Sequence, residues 1–96
     1  LDTATGAQAA RAVAIDLLGT LQAATGDLNR IVKVVKLLCL VNSAAHYTEQ
    51  HLVANGCSTL LAEVLGARGQ HARSAFGASQ IPLGACVEIE LIVELA

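Results

Sequence analysis

The sequence predicts a single α+β domain, residues 1–96, in which the elements run helix, strand, helix, strand, strand. Two stretches repeat apolar residues at helical spacing. One run is dense in β-branched residues, and two short alternating runs close the chain around a proline. No internal repeat or low-complexity linker divides the sequence, so these elements belong to one core.

The first predicted helix covers residues 5–25. Thr5 followed by Gln8 fits a capping box, and Gly26 stands where a left-handed C-cap is expected. Gly19 lies inside the helix, where glycine costs about 1 kcal/mol relative to alanine, and it predicts a close backbone contact. The apolar stripe consists of Ala10, Ala14, Leu17, Leu18, Leu21 and Ala24.

Residues 31–41 form a predicted strand that is apolar on both faces, so both faces are expected to be covered. The helices can cover one face, and an apolar content of 54%, above the usual 45–50% or so, suggests that another copy covers the second. A second helix is predicted over residues 47–65, with a kink or break at Asn55-Gly56.

The last two runs predict a β-hairpin, with Pro82 and Gly84 in a type I turn. A hairpin symmetric about this turn places Gly77 opposite Glu88 and puts the face that carries Phe76 against the helices. Arg73 then shares the other face with small residues and with the carboxylate strand.

That second face is the candidate site. Arg73 can hold a carboxylate in a bidentate grip, while Ala75 and Gly77 leave volume beside the backbone. Glu88 can position water or accept a proton from it. Because Arg73 and Glu88 lie about 13 Å apart along the predicted strand, either Arg73 leans along it or a neighbouring subunit completes the site. The alternative is that both belong to a polar interface network.

Composition bears on several other functions. A net charge of −2 and only two aromatic residues disfavour nucleic-acid binding. Charged and polar residues interrupt the longest apolar run, so no membrane span is predicted.

Three cysteines without C-x-x-C spacing are expected to be reduced and buried, in a cytoplasmic setting. The three histidines lack metal-ligand spacing, and no metal or cofactor is predicted. His71 could share the face of Arg73, and either Asn55 or His51 could reach the pocket from the second helix.

Residues 71–75, 81–84 and 87–90 read His-Ala-Arg-Ser-Ala, Ile-Pro-Leu-Gly and Val-Glu-Ile-Glu. This pattern resembles the Rid family of reactive intermediate deaminases, also called YjgF-like or L-PSP endoribonuclease-like proteins, in a divergent branch. The resemblance implies a chorismate-mutase-like sheet with two helices on one face, assembled as a homotrimer with sites between subunits. It also implies hydrolysis of 2-imino acids or enamines to 2-keto acids and ammonia, as by a 2-iminobutanoate/2-iminopropanoate deaminase.

Carried over to this chain, the resemblance makes Glu88 catalytic and makes Arg73, Ala75 and Gly77 substrate-binding. Family members also have two N-terminal strands that residues 1–6 do not match, so the chain is expected to be truncated at that end. Two other functions stay open: a non-catalytic protein that binds small carboxylates or keto acids, and a ribonuclease.

Overall fold

The computed structural model describes residues 2–96 and shows two helices on one face of a three-stranded mixed sheet. The predicted order of elements and the α+β class are confirmed. The bounds are α1 Thr3–Thr25, β1 Ile31–Asn42, α2 Gln50–Leu65, β2 Ala72–Ala78 and β3 Val87–Leu95. No helix within residues 2–96 combines the length and hydropathy needed to cross a bilayer.

Helix α1 begins two residues earlier than predicted. Its N-cap is Asp2, whose carboxylate accepts the Thr5 backbone N–H at 2.8 Å, so the predicted capping box at Thr5 is wrong. Gly26 does end the helix in the left-handed conformation, with φ 79°. The close contact expected at Gly19 is absent, because a Cβ built there meets nothing within 4 Å.

Helix α2 begins at Gln50 rather than Tyr47 and runs unbroken through Asn55 and Gly56, so the predicted kink is wrong. Gly56 serves the packing between the two helices instead. A Cβ at this position would lie 2.7 Å from the carbonyl carbon of Ala7 in α1. Glycine therefore lets the two helix backbones meet.

The predicted hairpin is wrong. The strand order is β2-β1-β3, with β2 parallel and β3 antiparallel to the central β1. With twelve residues, β1 is the longest and most apolar strand. In the central position both of its edges are paired with a neighbouring strand. The β2–β3 connection passes over the end of β1, where the Asn42 N–H donates to the Cys86 carbonyl at 2.9 Å.

The predicted turn also differs. The Gly84 N–H donates to the Ile81 carbonyl at 3.0 Å, but Leu83 has φ 63°. A positive φ at the third turn position is the geometry of a type II turn rather than a type I turn.

The new pairing changes which side chains share a face. Across β1, Gly77 is level with Val41 and Val87, whereas Phe76 is level with Leu40 and Glu88. This differs by one residue from the predicted hairpin register, and a one-residue shift moves a side chain to the opposite face of the sheet. The helices cover the face of Leu37, Cys39 and Val41, which are buried. No element of residues 2–96 covers the other face, where Phe76 is 52% exposed.

Candidate carboxylate site

Arg73 lies on the helix-facing side of the edge strand β2, level with Leu37 of β1. Its Nη1 donates to Asn55 Oδ1 at 2.8 Å and to Ser58 Oγ at 3.2 Å, both on helix α2. The Arg73 side chain is half-buried. The prediction that helix α2 reaches Arg73 is confirmed for Asn55, one of the two residues left open.

The hydrogen bonds of Arg73 use one corner of its guanidinium. Nη1 carries two hydrogens, which match its two partners, whereas Nε and Nη2 have no acceptor among residues 2–96. No carboxylate of residues 2–96 lies within 4.0 Å of Arg73. The ion pair found in these residues joins Arg11 and Glu63 instead. The Nε–Nη2 edge is the edge that grips a carboxylate with two parallel hydrogen bonds.

Ala75 and Gly77 share the face of Arg73, as predicted, but the volume expected beside Gly77 is occupied. A Cβ at Gly77 would lie 2.6 Å from Ser43 Oγ and 2.9 Å from Gln50 Nε2. The small residue at this position therefore accommodates two polar side chains of the chain itself. Ala75 packs against the core beside Arg73.

Glu88 lies on the opposite face of the sheet and is exposed. It is level with Leu40 and Phe76, on the strand at the other edge, two strand spacings or about 10 Å from β2. The prediction that Glu88 shares one hairpin face with Arg73 is therefore wrong within one chain. The cause is the register described above.

His71 belongs to the Arg73 cluster. Its Nε2 lies 2.9 Å from Ser58 Oγ, and its Nδ1 lies 2.6 Å from the Gly69 carbonyl oxygen. Sequence reasoning missed Ser58, although its position three residues after Asn55 places both on one helix face. It could not show that β2 would lie beside that face.

Two buried thiols lie near this cluster. Burial raises the pKa of Cys39 and of Cys57 to about 11, and the Arg73 guanidinium opposes the rise in both. All three cysteines are free, and Cys86 is half-buried. Thiols with a raised pKa stay protonated at neutral pH, so Cys39 and Cys57 are packing residues rather than nucleophiles.

A cavity of about 480 Å³ lies apart from Arg73, at the end of β1 beside Val41, Tyr47 and Cys86. The Tyr47 hydroxyl at its rim is hydrogen-bonded to Thr3 Oγ1 at 2.6 Å. Arg73 does not line this cavity, and neither does any other arginine or lysine of residues 2–96. Within residues 2–96, no three His, Cys, Asp or Glu side chains are grouped to hold a metal ion.

Comparisons with known proteins agree with this architecture. The family model described as endoribonuclease L-PSP matches residues 2–95. Protein TCP17 of Trypanosoma cruzi is 50% identical over 91 residues, which cover 94% of this chain and 57% of that protein. The chain thus spans little more than half of that relative.

Two solved structures match over nearly the whole chain. Protein Atu1372 of Agrobacterium tumefaciens, whose function is unknown, has 45% identity and a TM-score of 0.97, with 100% of this chain and 63% of that chain covered. A candidate endoribonuclease of Shewanella oneidensis MR-1 has 27% identity and a TM-score of 0.95, with 99% and 63% covered.

Proposed function

The chain belongs to the endoribonuclease L-PSP family, and we propose that its Arg73 site hydrolyses 2-imino acids to 2-keto acids and ammonia. The observation that carries the proposal is the state of Arg73. Arg73 is half-buried, its Nη1 is held by two partners on α2, and the edge formed by Nε and Nη2 has no acceptor within residues 2–96. An arginine restrained in this way is already oriented for an anion, and a 2-imino acid offers a carboxylate one bond from its reactive carbon.

The reaction adds water to the C=N carbon and releases ammonia. Binding of the carboxylate at Arg73 fixes that carbon beside the guanidinium, with Ala75 as part of the wall and Gly77 farther along the strand. Glu88 positions the attacking water, and it does so from a second copy, because in one chain it lies on the other face. A homotrimer that packs the open, Glu88-bearing face of one subunit along the β2 edge of the next would bring the two residues together, and the exposed Phe76 supports burial of the open face.

A second candidate function is supported by a separate observation. No acidic side chain within residues 2–96 lies within 4.0 Å of Arg73, so the single chain has an anion anchor without a carboxylate base. A protein that only binds small carboxylates or 2-keto acids needs no more than that. Ribonuclease activity is less well supported, because the chain has two aromatic residues and a net charge of −2. RNA cleavage that persists through purification and is lost in Glu88→Gln would favour it.

The test of the main proposal generates imines in place with an amino-acid oxidase or dehydratase and follows ammonia release. We expect the intact protein to accelerate release and Arg73→Ala to lose about 10- to 100-fold in kcat/KM, since a charge-assisted hydrogen bond contributes about 1.5–3 kcal/mol. Arg11→Ala, which removes an exposed arginine, is the control. No acceleration with any of several imino acids would refute the deaminase. Arg73-dependent binding of 2-ketobutyrate without turnover would instead identify the binding protein.

The two-copy arrangement has its own test. Arg73→Ala and Glu88→Gln subunits are unfolded together, mixed in equal amounts and refolded. If each site takes Arg73 from one subunit and Glu88 from a neighbour, about one quarter of the sites in random mixtures regain both residues. Activity well above that of either variant alone is expected. No recovery would show that the two residues do not combine across subunits. The three free thiols support a cytoplasmic setting as part of this proposal.

A further inference from the structure

The hydrogen bonds around Ser58 run in one direction. The Gly69 carbonyl can only accept, so His71 Nδ1, 2.6 Å away, carries a hydrogen. In the neutral ring Nε2 is then a lone pair, and the Ser58 hydroxyl 2.9 Å away donates to it. The backbone of the turn before β2 thereby determines the tautomer of His71.

The Ser58 hydroxyl does not bond as those of Thr20 and Thr25 in α1 do. Thr20 and Thr25 donate to the carbonyls four residues earlier, at 3.1 and 2.7 Å, which is the usual bond for a hydroxyl inside a helix. Ser58 instead turns away from its own helix toward β2. Its position is set by His71 and Arg73.

One acceptor site of Ser58 remains available. A hydroxyl has one donor and two lone pairs. The donor goes to His71, and one lone pair accepts from Arg73 Nη1 at 3.2 Å. The second lone pair has no partner within residues 2–96, so it can accept a hydrogen from a water molecule beside a ligand held on the free edge of Arg73.

We propose that Ser58 and His71 form the proton-transfer pair of the Arg73 site, a role that rests on the proposed deaminase function. The water oxygen bonds to the imine carbon, and the C=N π electrons move to nitrogen. The water proton passes to Ser58 Oγ as the hydroxyl proton passes to His71 Nε2. That proton returns through Ser58 to the nitrogen and gives the neutral carbinolamine. The carbinol O–H proton then follows the same path to the nitrogen, so the C–N bond breaks and ammonia leaves as the C=O bond forms. Ser58 contacts the reacting water, and His71 is a positioning residue that acts through it.

The surroundings of His71 are compatible with this proton transfer. It faces a shallow surface cavity of about 500 Å³ that Lys33 and Arg68 also line. The third cation near His71 is Arg73, which donates to the same Ser58 hydroxyl that bonds to His71. No carboxylate of residues 2–96 lies within 4.0 Å of the imidazole, so hydrogen bonds rather than an ion pair hold it.

The decisive variant is His71→Gln, because an amide oxygen can accept from Ser58 but cannot take up a proton at neutral pH. We expect kcat to fall about 100-fold in His71→Gln and in Ser58→Ala, since general acid–base groups contribute at least about that much. The dissociation constant of 2-ketobutyrate should change by no more than about threefold, and the shape of the kcat/KM–pH profile should change. His51→Gln and Thr59→Ala, both exposed on α2, are the matched controls.

Unchanged kcat and an unchanged pH profile in His71→Gln would overturn the relay, as would a loss confined to ligand affinity. Loss of turnover in Arg73→Ala alongside full activity in Ser58→Ala would retain the deaminase and remove the relay. If Arg73→Ala is fully active, the proposed function itself fails. Should either variant misfold, the ¹⁵N shifts of His71 in the unmodified protein decide, because a neutral ring protonated at Nε2 contradicts the assigned tautomer.

Discussion

Replacement of Gly56 by alanine tests how the two helices are held together. The added Cβ would lie 2.7 Å from the carbonyl carbon of Ala7, where carbon atoms normally approach to about 3.5–4.0 Å. The obstacle is backbone in the middle of the layer between α1 and α2, not the tip of a flexible side chain. The helices must therefore separate by close to 1 Å at this point, and the buried Val53 and Cys57 beside it lose part of their packing.

The expected free-energy change combines two opposing effects. Overpacking of this kind costs about 1–3 kcal/mol, and a backbone obstacle favours the upper end. Alanine recovers about 1 kcal/mol of helix propensity relative to glycine. The net result is a loss of about 2 kcal/mol in the free energy of unfolding, which lowers Tm by about 8–16 °C in a domain of this size.

Gly19→Ala is the matched control. It is the same substitution, in the interior of α1, at a site where the added Cβ meets nothing within 4 Å. It should stabilise the protein by about 1 kcal/mol, so the two variants should differ by about 3 kcal/mol. Urea denaturation followed by circular dichroism, at one fixed protein concentration, measures both. A Gly56→Ala protein as stable as the unmodified one would refute this account of the helix contact.

Three other predictions concern the thiols, the site and the open face. Because burial raises the pKa of Cys39 and Cys57 to about 11, their contribution to stability is complete below the ordinary thiol pKa of about 8.5. It declines as the pH rises toward 11, so the urea midpoint should fall over that interval, and less steeply in a double alanine variant. Gly69→Ala places a Cβ 2.8 Å from a carbonyl carbon of α2 and should displace the carbonyl that holds His71, visible as a mixture of ¹⁵N tautomer signals. Phe76→Glu should convert the proposed trimer into folded monomers in light scattering, and an unchanged mass would count against burial of that face.

The parts of the fold that were predictable are those that depend on local sequence. The β-branched run identified β1 to within one residue, and Gly26 ended α1 where a left-handed residue was needed. The pairing of β2 and β3 with β1 could not be predicted from local sequence. Proximity along the chain and a proline turn favour a hairpin, but a hairpin leaves one edge of the most apolar strand unpaired, and that competing requirement decided the topology.

The candidate site was predictable to a similar degree. Arg73 is recognisable from its residue type among small neighbours, and Asn55 was one of two residues expected to reach it. The bond from Ser58 to His71 was not predictable. It requires the parallel crossover that places β2 beside α2, together with a turn whose Gly69 carbonyl faces the imidazole.

The register of the sheet also constrains the chemistry. Arg73 is level with Leu37 on the face covered by the helices, and Glu88 is level with Leu40 on the face without a cover. No rotamer change moves a strand side chain through the sheet, because that requires a one-residue slip, which would also expose the buried Cys39 and Val41. Joint action of Arg73 and Glu88 on one ligand therefore implies two chains, whereas action of Arg73 with Ser58 and His71 implies one. The subunit-mixing experiment and the His71→Gln pH profile address these two requirements separately, so each can fail without the other.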